Sequence, residues 1–319
     1  MAMIGAFNPV GGRLARTGCV LALLLLAGGA WHPAHALSSL ASPGDEPPAG
    51  STAEGNKGLL WKVERSGLRP SYVFGTLHSE DPRIADLSPA VLRAFRFSDV
   101  FAMEMIPDHA SLARMSAAMF ITDGRDLKEL LGESCFAQAV TVMNNYGIAP
   151  DVLIKLKPWV VFTVLTMPKP EKGMFLDMIL YGVALSDGKY VHGLETADEQ
   201  VAIFEDIRLD DQVAILQDVI AHYAALSDVN RELAVRYSQG NLGAVAALQD
   251  EYLATRDKRL IQSYRRHVID DRNLRIVERM VPRIEEQNAF IAIDAGLLPG
   301  EQGVLHLLEQ RGYRISPVH

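Results

Sequence analysis

Two apolar runs with the β-rich composition of strands lie near opposite ends of the chain. The first covers residues 72–78 and ends in a Gly-x-x-His motif, whereas the second covers residues 290–300 and contains no histidine. Strands from opposite ends of a chain can pair in one sheet. We therefore predict that the two runs lie side by side and contribute to one ligand-binding sheet edge.

The rest of the pattern predicts how this sheet is assembled. A helix from Ser88 to about Phe97 should connect the first run to a strand near residues 99–105, and such a βαβ unit should have parallel, neighbouring strands. Between residue 108 and about residue 287 the periodicity is mainly helical. The pattern predicts an α/β fold, with a mixed sheet built from N- and C-terminal segments and a large helical insertion. Further strands are expected at residues 59–64, 189–195 and 313–315.

The first 36 residues have the pattern of a secretory signal peptide. Two arginines precede an apolar run at residues 19–31, and Ala34 and Ala36 form the small-x-small pattern of a cleavage site. The run is shorter than the ~20 apolar residues that span a bilayer, so we expect cleavage and no stable membrane span afterwards. The chain is therefore expected to be exported, to the periplasm or the extracellular space.

Residues 37–58 are rich in Ser, Gly, Pro and Ala, which predicts a disordered leader before a domain at residues 59–319. Without residues 1–36 the chain keeps 29 of its 31 Lys and Arg residues and all 39 Asp and Glu residues, a net charge of −10. This acidic balance argues against a nucleic-acid partner. Cys135 is the one cysteine left, which excludes an intramolecular disulfide.

The predicted sheet edge gathers several polar side chains. His78, Glu104, Glu195 and Asp294 each lie at or just beyond the end of a predicted strand. A hydrogen-bonded structural role is the alternative for His78, and a solvent-facing position is the alternative for Glu104. Arg272 begins a long amphipathic helix, where it could bind an anionic intermediate or a substrate carbonyl. The alternative for Arg272 is a solvated side chain on a capped helix.

A set of short motifs occurs in a specific order along the chain. These are Leu60-Trp61-Lys62-Val63, Tyr72-Val73-Phe74-Gly75-Thr76-Leu77-His78, Met103-Glu104, His192-Gly193-Leu194-Glu195-Thr196-Ala197-Asp198-Glu199-Gln200, Arg272-Asn273 and Leu298-Pro299-Gly300-Glu301-Gln302-Gly303-Val304. Together they resemble the TraB/GumN family over residues 59–318, which is nearly the whole mature chain.

The resemblance implies an activity like that of the Tiki-like metal-dependent proteases, which use two Gly-x-x-His motifs and an acidic residue. The first motif falls on Gly75 to His78, and the acidic residue falls on Glu104. The second motif would fall on Asp294 to Leu297, where Asp replaces Gly and Leu replaces His. The resemblance thus implies a divalent metal ion, Mn²⁺ or Co²⁺, held by His78, Glu104 and Asp294, with the Asp294 carboxylate in place of the lost imidazole.

The function expected from this resemblance is metal-dependent hydrolysis of peptides. The expected catalytic residues are His78, Glu104, Glu195 and Arg272, and Glu195 or Glu104 would accept a proton from metal-bound water. The leucine at position 297 favours an alternative, a catalytically inactive protein that binds a peptide or small ligand. Binding of haem or iron is a third interpretation, because a related fold serves iron uptake. The sequence leaves the oligomeric state open.

Overall fold

The computed structural model describes residues 58–79, 81–168, 175–254 and 257–318. The predicted signal peptide and all of the predicted leader except Gly58 lie outside these residues. Within these residues, six strands form one sheet. They are β1 Leu60–Glu64, β2 Ser71–Thr76, β3 Val100–Met103, β4 Tyr190–Gly193, β5 Ala289–Asp294 and β6 Arg314–Val318.

The sheet is mixed, with the order β4-β3-β5-β2-β1-β6. β2 pairs with β5, β5 with β3 and β3 with β4 in parallel, whereas β1 is antiparallel to both β2 and β6. Thr76 at the end of β2 lies opposite Asp294 at the end of β5. The predicted pairing of the two apolar runs is therefore confirmed, and so is the predicted fold class.

The prediction that β2 and β3 are neighbours is wrong, because β5 lies between them. The physical reason is that a strand from the far end of the chain pairs with both of them: β5 is parallel to β2 along one edge and to β3 along the other. The first five residues of β5 are buried, as expected for a strand in the middle of a covered parallel sheet. The crossover of a βαβ unit does not keep a third strand from lying between its two strands.

The α-helices of the described residues are numbered in chain order. Their bounds are α1 Pro82–Ala85, α2 Pro89–Phe97, α3 His109–Ala118, α4 Leu127–Leu131, α5 Glu133–Asn144, α6 Pro150–Leu153, α7 Pro158–Thr166, α8 Leu176–Ser186, α9 Ala197–Glu205, α10 Leu209–Ala221, α11 Tyr223–Ser238, α12 Leu242–Ala254, α13 Lys258–Arg265, α14 Asp271–Glu286 and α15 Val304–Gln310.

The connections divide these helices into two sets. Helices α1 and α2 connect β2 to β3, and α15 connects β5 to β6. The insertion contains α3 to α14, with β4 between α8 and α9. Ser88 caps α2 by accepting a hydrogen bond from the backbone N–H of Val91, as the Ser-Pro pattern predicts.

Two short irregular helices lie next to these elements: a π-helical turn, Arg266–Asp270, precedes α14, and a 3₁₀ turn, Ala295–Leu297, follows β5. One large hydrophobic cluster is centred on the sheet, and another lies within the insertion. Cys135 is half-buried and packs against the second cluster, where burial raises the pKa of its thiol. In the described ranges, no helix is both long and apolar enough to span a membrane.

Candidate functional site at the carboxyl edge of the sheet

His78 lies just beyond β2 with its imidazole between two carboxylates. Its Nδ1 is 3.5 Å from Oδ2 of Asp294, and its Nε2 is 3.8 Å from Oδ2 of Asp177. The Phe175 ring packs edge-on against the imidazole, with the ring centroids 5.6 Å apart. About one third of the His78 side chain, 33%, is exposed. The ring is thus fixed on several sides and remains accessible.

The surrounding carboxylates control the charge of His78. Burial lowers the pKa of the imidazole, but Asp177, Asp294 and Glu104 together outweigh this effect and raise the pKa of His78 to about 10. Burial raises the pKa of the Asp177 carboxyl, although His78 and a hydrogen bond from Thr76 oppose that rise. With these side chains alone, His78 carries a positive charge at neutral pH.

Asp177 belongs to the first turn of α8 and was missed by sequence reasoning. Thr76 Oγ1 donates a hydrogen bond to its Oδ1 at 2.5 Å, so α8 is tied to the end of β2. Its Oδ2 is buried and accepts no hydrogen bond. The available signal was a single acidic residue in the otherwise apolar α8 sequence, which is costly to bury without a partner.

Arg272 forms a buried ion-pair cluster with two glutamates. Its Nη2 donates to Glu104 Oε2 at 2.5 Å and to Glu195 Oε2 at 2.7 Å, and its Nε donates to both Glu195 oxygens at 3.0 Å. Burial lowers the pKa of Arg272, but the two carboxylates raise it well above its usual value. The interpretation of Arg272 as a solvated side chain is wrong, because the fold brings both glutamates to the start of α14.

Glu104 connects the Arg272 cluster to His78. Its Oε1 accepts the backbone N–H of Asp294 at 2.8 Å, while its Oε2 binds Arg272. Burial raises the pKa of Glu104, but the opposing effect of Arg272 and His78 is larger. The pKa of Glu104 is therefore lowered overall, and the group stays ionised. The alternative of a solvent-facing Glu104 is wrong: the side chain is only 16% exposed, because its carboxylate turns towards Arg272.

The structure therefore brings all five sequence-predicted site residues to one edge of the sheet. Two groups are visible: His78 and Asp294, and Glu104, Glu195 and Arg272. The hydrogen bond between Glu104 and the Asp294 backbone joins the two groups. Their catalytic and metal-binding roles remain predictions.

The turn after β5 approaches β2 closely, and the glycine of the first motif makes this possible. A Cβ at Gly75 would lie 2.8 Å from Leu298 Cδ1 and 3.2 Å from the Ala295 Cα. Asn273 holds the turn from the other side, because its Nδ2 donates to the Leu297 carbonyl at 3.1 Å. Leu297 itself is buried in the sheet cluster, so the position of the second motif histidine is filled by apolar packing.

The three predicted metal ligands do not form a ready-made centre. Across the residues that the structure describes, no three His, Cys, Asp or Glu side chains are grouped to hold a metal ion. Both oxygens of Glu104 already accept hydrogen bonds, and Asp294 Oδ1 accepts the backbone N–H of Gly296 at 2.8 Å. Glu104 in particular is engaged by Arg272, a contact that its sequence neighbours do not predict.

Comparison with known proteins assigns the chain to a sequence family. The sequence model of the TraB/PrgY/gumN family matches residues 59–317. The chain belongs to this family. The match contains β1 to β5, most of β6 and every residue of the candidate site.

Curated relatives of this TraB/PrgY/gumN chain include two proteins named as metalloproteases. Metalloprotease TIKI2 of Danio rerio is 23% identical over 314 residues, which cover 81% of this chain and 60% of the relative. Metalloprotease TIKI1 of Homo sapiens is 23% identical over 322 residues, which cover 82% of this chain and 63% of the relative. The chain thus spans about three fifths of the length of these relatives. No solved structure matches the chain.

A capping interaction beside the site predicts an effect of pH on stability. Glu199 forms a capping box with Thr196, and Arg279 Nη1 donates to its Oε2 at 2.6 Å. Hydrogen bonding to Arg279 lowers the pKa of Glu199 to about 2. Because the folded-state pKa is depressed, the stabilisation is present above the usual glutamate pKa and is lost as the pH falls towards 2.

We expect Glu199→Gln to lower the free energy of unfolding by about 1 kcal/mol at pH 7, since the pair is partly exposed and screened by solvent. The difference from the unmodified protein should shrink as the pH is lowered towards 2. Urea unfolding at a series of pH values measures it. A difference that stays constant over this range would contradict the assignment.

Proposed function

We propose that this protein is an exported, metal-dependent hydrolase that acts on peptides. The observation that carries the proposal is the position of His78, whose imidazole lies among carboxylates at the carboxyl edge of parallel strands. The family match and the relatives named as metalloproteases support the same reaction class. Ligands of open α/β sheets bind at this edge, which is where a substrate would reach His78.

The chemistry of the donors fits a divalent ion that keeps several water ligands. An imidazole nitrogen and a carboxylate oxygen face each other across 3.8 Å, and that oxygen is buried without a hydrogen-bond donor. Nitrogen and oxygen donors of this kind suit Mn²⁺ and Co²⁺. His78 and a carboxylate of the site would hold the ion, which when bound would polarise the scissile carbonyl and lower the pKa of a water molecule.

The Arg272 cluster orients the acidic groups of the site. The Glu195 side chain has no exposure and accepts three hydrogen bonds from Arg272, so in this proposal Glu195 is a positioning residue. Glu104 keeps some exposure and is the proposed proton acceptor. Arg272 holds Glu104 in place and keeps it ionised until it accepts the proton.

We expect His78→Ala to reduce kcat/KM for peptide cleavage by at least about 100-fold, because the variant removes the imidazole from the reacting centre. Cleavage of a peptide library by the mature protein, with Mn²⁺, with Co²⁺ and with chelator, measures the effect. His306→Ala is the matched control, since His306 is a half-exposed residue on α15. Equal cleavage by His78→Ala and the unmodified protein would contradict the proposed site.

Export is tested separately from catalysis. Mass spectrometry of the protein recovered outside the cytoplasm should show an N-terminus near residue 37, since the small-x-small pattern ends at Ala36. An intact N-terminus on protein that remains in the cytoplasm would contradict the export proposal and leave the hydrolase proposal to its own test.

A second candidate function is binding of a peptide or small ligand without cleavage. The specific observation that favours it is Leu297, which is buried at the position where the second Gly-x-x-His motif would have its histidine. Peptides that bind the mature protein and stay intact with every metal would support this function and contradict hydrolysis.

A further inference from the structure

The loss of the second motif histidine leaves open which residue faces His78 in its place. Two carboxylates are candidates for this role, one on each side of the ring: Asp294 near Nδ1 and Asp177 near Nε2. The hydrogen bonds that each carboxylate already makes show which of the two is the better ligand.

Asp294 is already used by the local backbone. Its Oδ1 caps the 3₁₀ turn by accepting the Gly296 N–H, and its backbone N–H binds Glu104. Its Oδ2 faces Nδ1 of His78 at 3.5 Å. Metal-bound histidines generally donate their second ring N–H to such a carboxylate, which fixes the ring orientation. Asp294 has the position of this outer carboxylate.

Asp177 is held in one orientation and has one carboxylate oxygen without a hydrogen bond. Thr76 donates to Oδ1, which orients the carboxylate and leaves Oδ2 without a hydrogen bond. This oxygen is buried, accepts no hydrogen bond and lies 3.8 Å from His78 Nε2, too far for a direct hydrogen bond. The charged group that faces this oxygen is the His78 imidazole, at an ion-pair distance without a hydrogen bond. A divalent ion between the two atoms would take the place of the proton on Nε2 and give the buried oxygen a direct partner.

The distance between the two atoms allows a shared cation. Divalent first-row metals bind imidazole nitrogen and carboxylate oxygen at about 2.0 to 2.2 Å, so two ligands of one ion lie at most roughly 4.3 Å apart. The separation of 3.8 Å falls within this limit. The net charge also favours a cation, because four carboxylates surround one guanidinium and one imidazole.

We propose that Asp177 Oδ2 and His78 Nε2 together hold the divalent ion, and that Asp294 fixes the His78 ring from Nδ1. This inference rests on the proposed metal-dependent function and identifies the residue that replaces the lost histidine. The replacement comes from α8 in the inserted segment, whereas the family motif would place the second ligand after β5.

Isothermal titration of the mature protein with Mn²⁺ and with Co²⁺ tests the assignment without any activity assay. We expect one site per chain. Asp177→Asn should weaken the affinity by more than about 100-fold, whereas Asp294→Asn, an outer-carboxylate change, should weaken it by about 10- to 100-fold. Asp198→Asn is the control, since Asp198 is exposed and pairs with Arg114 at the surface. Circular dichroism verifies that each variant is folded.

Direct ligation is tested by Asp177→Cys loaded with Co²⁺. A thiolate bound to Co²⁺ produces a charge-transfer band in the near ultraviolet, so the band should appear with Asp177→Cys and be absent with Asp294→Cys. This readout stays informative if Asp177→Asn is too unstable to titrate. A band with Asp294→Cys and none with Asp177→Cys would overturn the assignment.

The remaining outcomes separate the inference from the proposed function. Full metal affinity in Asp177→Asn overturns the role of Asp177 and leaves metal-dependent hydrolysis intact. An unmodified protein that cleaves peptides but binds neither ion overturns the metal site and leaves hydrolysis standing. A protein that binds an ion through Asp177 without cleaving any peptide supports the site and contradicts the hydrolase.

Discussion

Arg272→Leu is expected to lower the free energy of unfolding by about 3 to 5 kcal/mol. The substitution leaves Glu104 and Glu195 buried without their cation, and both carboxylates lose charge-assisted hydrogen bonds. The attraction of Arg272 also opposes the rise that burial would cause in the pKa of Glu104. Urea unfolding at pH 7 measures the loss.

Two controls separate the buried cluster from charge in general. Arg114→Ala removes the cation of an exposed ion pair with Asp198 and should change stability by less than about 1 kcal/mol. Adding Glu195→Gln to Arg272→Leu should recover part of the lost stability, because an amide replaces one of the unpaired charges. If Arg272→Leu cost no more than Arg114→Ala, the cluster could not be buried as described.

Gly303→Ala is expected to cost about 3 kcal/mol, the upper part of the usual range for overpacking. A Cβ at Gly303 would overlap the carbonyl oxygens of Pro299 and Leu298. These are backbone atoms, so no side-chain rotation relieves the clash. Thermal or urea unfolding measures the change.

Gly300→Ala is the matched control in the same loop. Gly300 has a φ of +93°, and a Cβ added there would meet no atom within 4 Å. An alanine at this position therefore meets backbone strain without a clash, at a cost of about 1 kcal/mol. Gly303 has an ordinary φ of −74°, so its requirement for glycine is purely steric. Equal effects of the two substitutions would contradict the close approach of this loop to α15.

The positions of the candidate site residues were predictable where these residues lie at strand ends. His78 and Asp294 follow apolar runs whose pairing was expected, and parallel strands bring their carboxyl ends to one edge. Glu104 and Glu195 were also expected at this edge, but their partner was not. Arg272 reaches them from 168 and 77 residues away along the chain, and no local pattern encodes such a contact.

Asp177 shows why the remaining part of the site was not predictable. It lies in an apolar helix of the insertion, 101 residues from Thr76, and only the packing of α8 against β2 brings it beside His78. The prediction that β2 and β3 are neighbours was wrong for a related reason. Local periodicity identifies a buried strand but does not say which strands from elsewhere in the chain will flank it.

The sequence by itself determined the strands, the helical insertion, the caps and the family, because these depend on local periodicity and on short ordered motifs. The tertiary structure decided the strand order, the buried ion pairs of Arg272 and the position of Asp177 beside His78. These features depend on contacts between residues that are distant in the chain. Such contacts are selected by burial and charge pairing in the folded core, where the side chains of all segments meet.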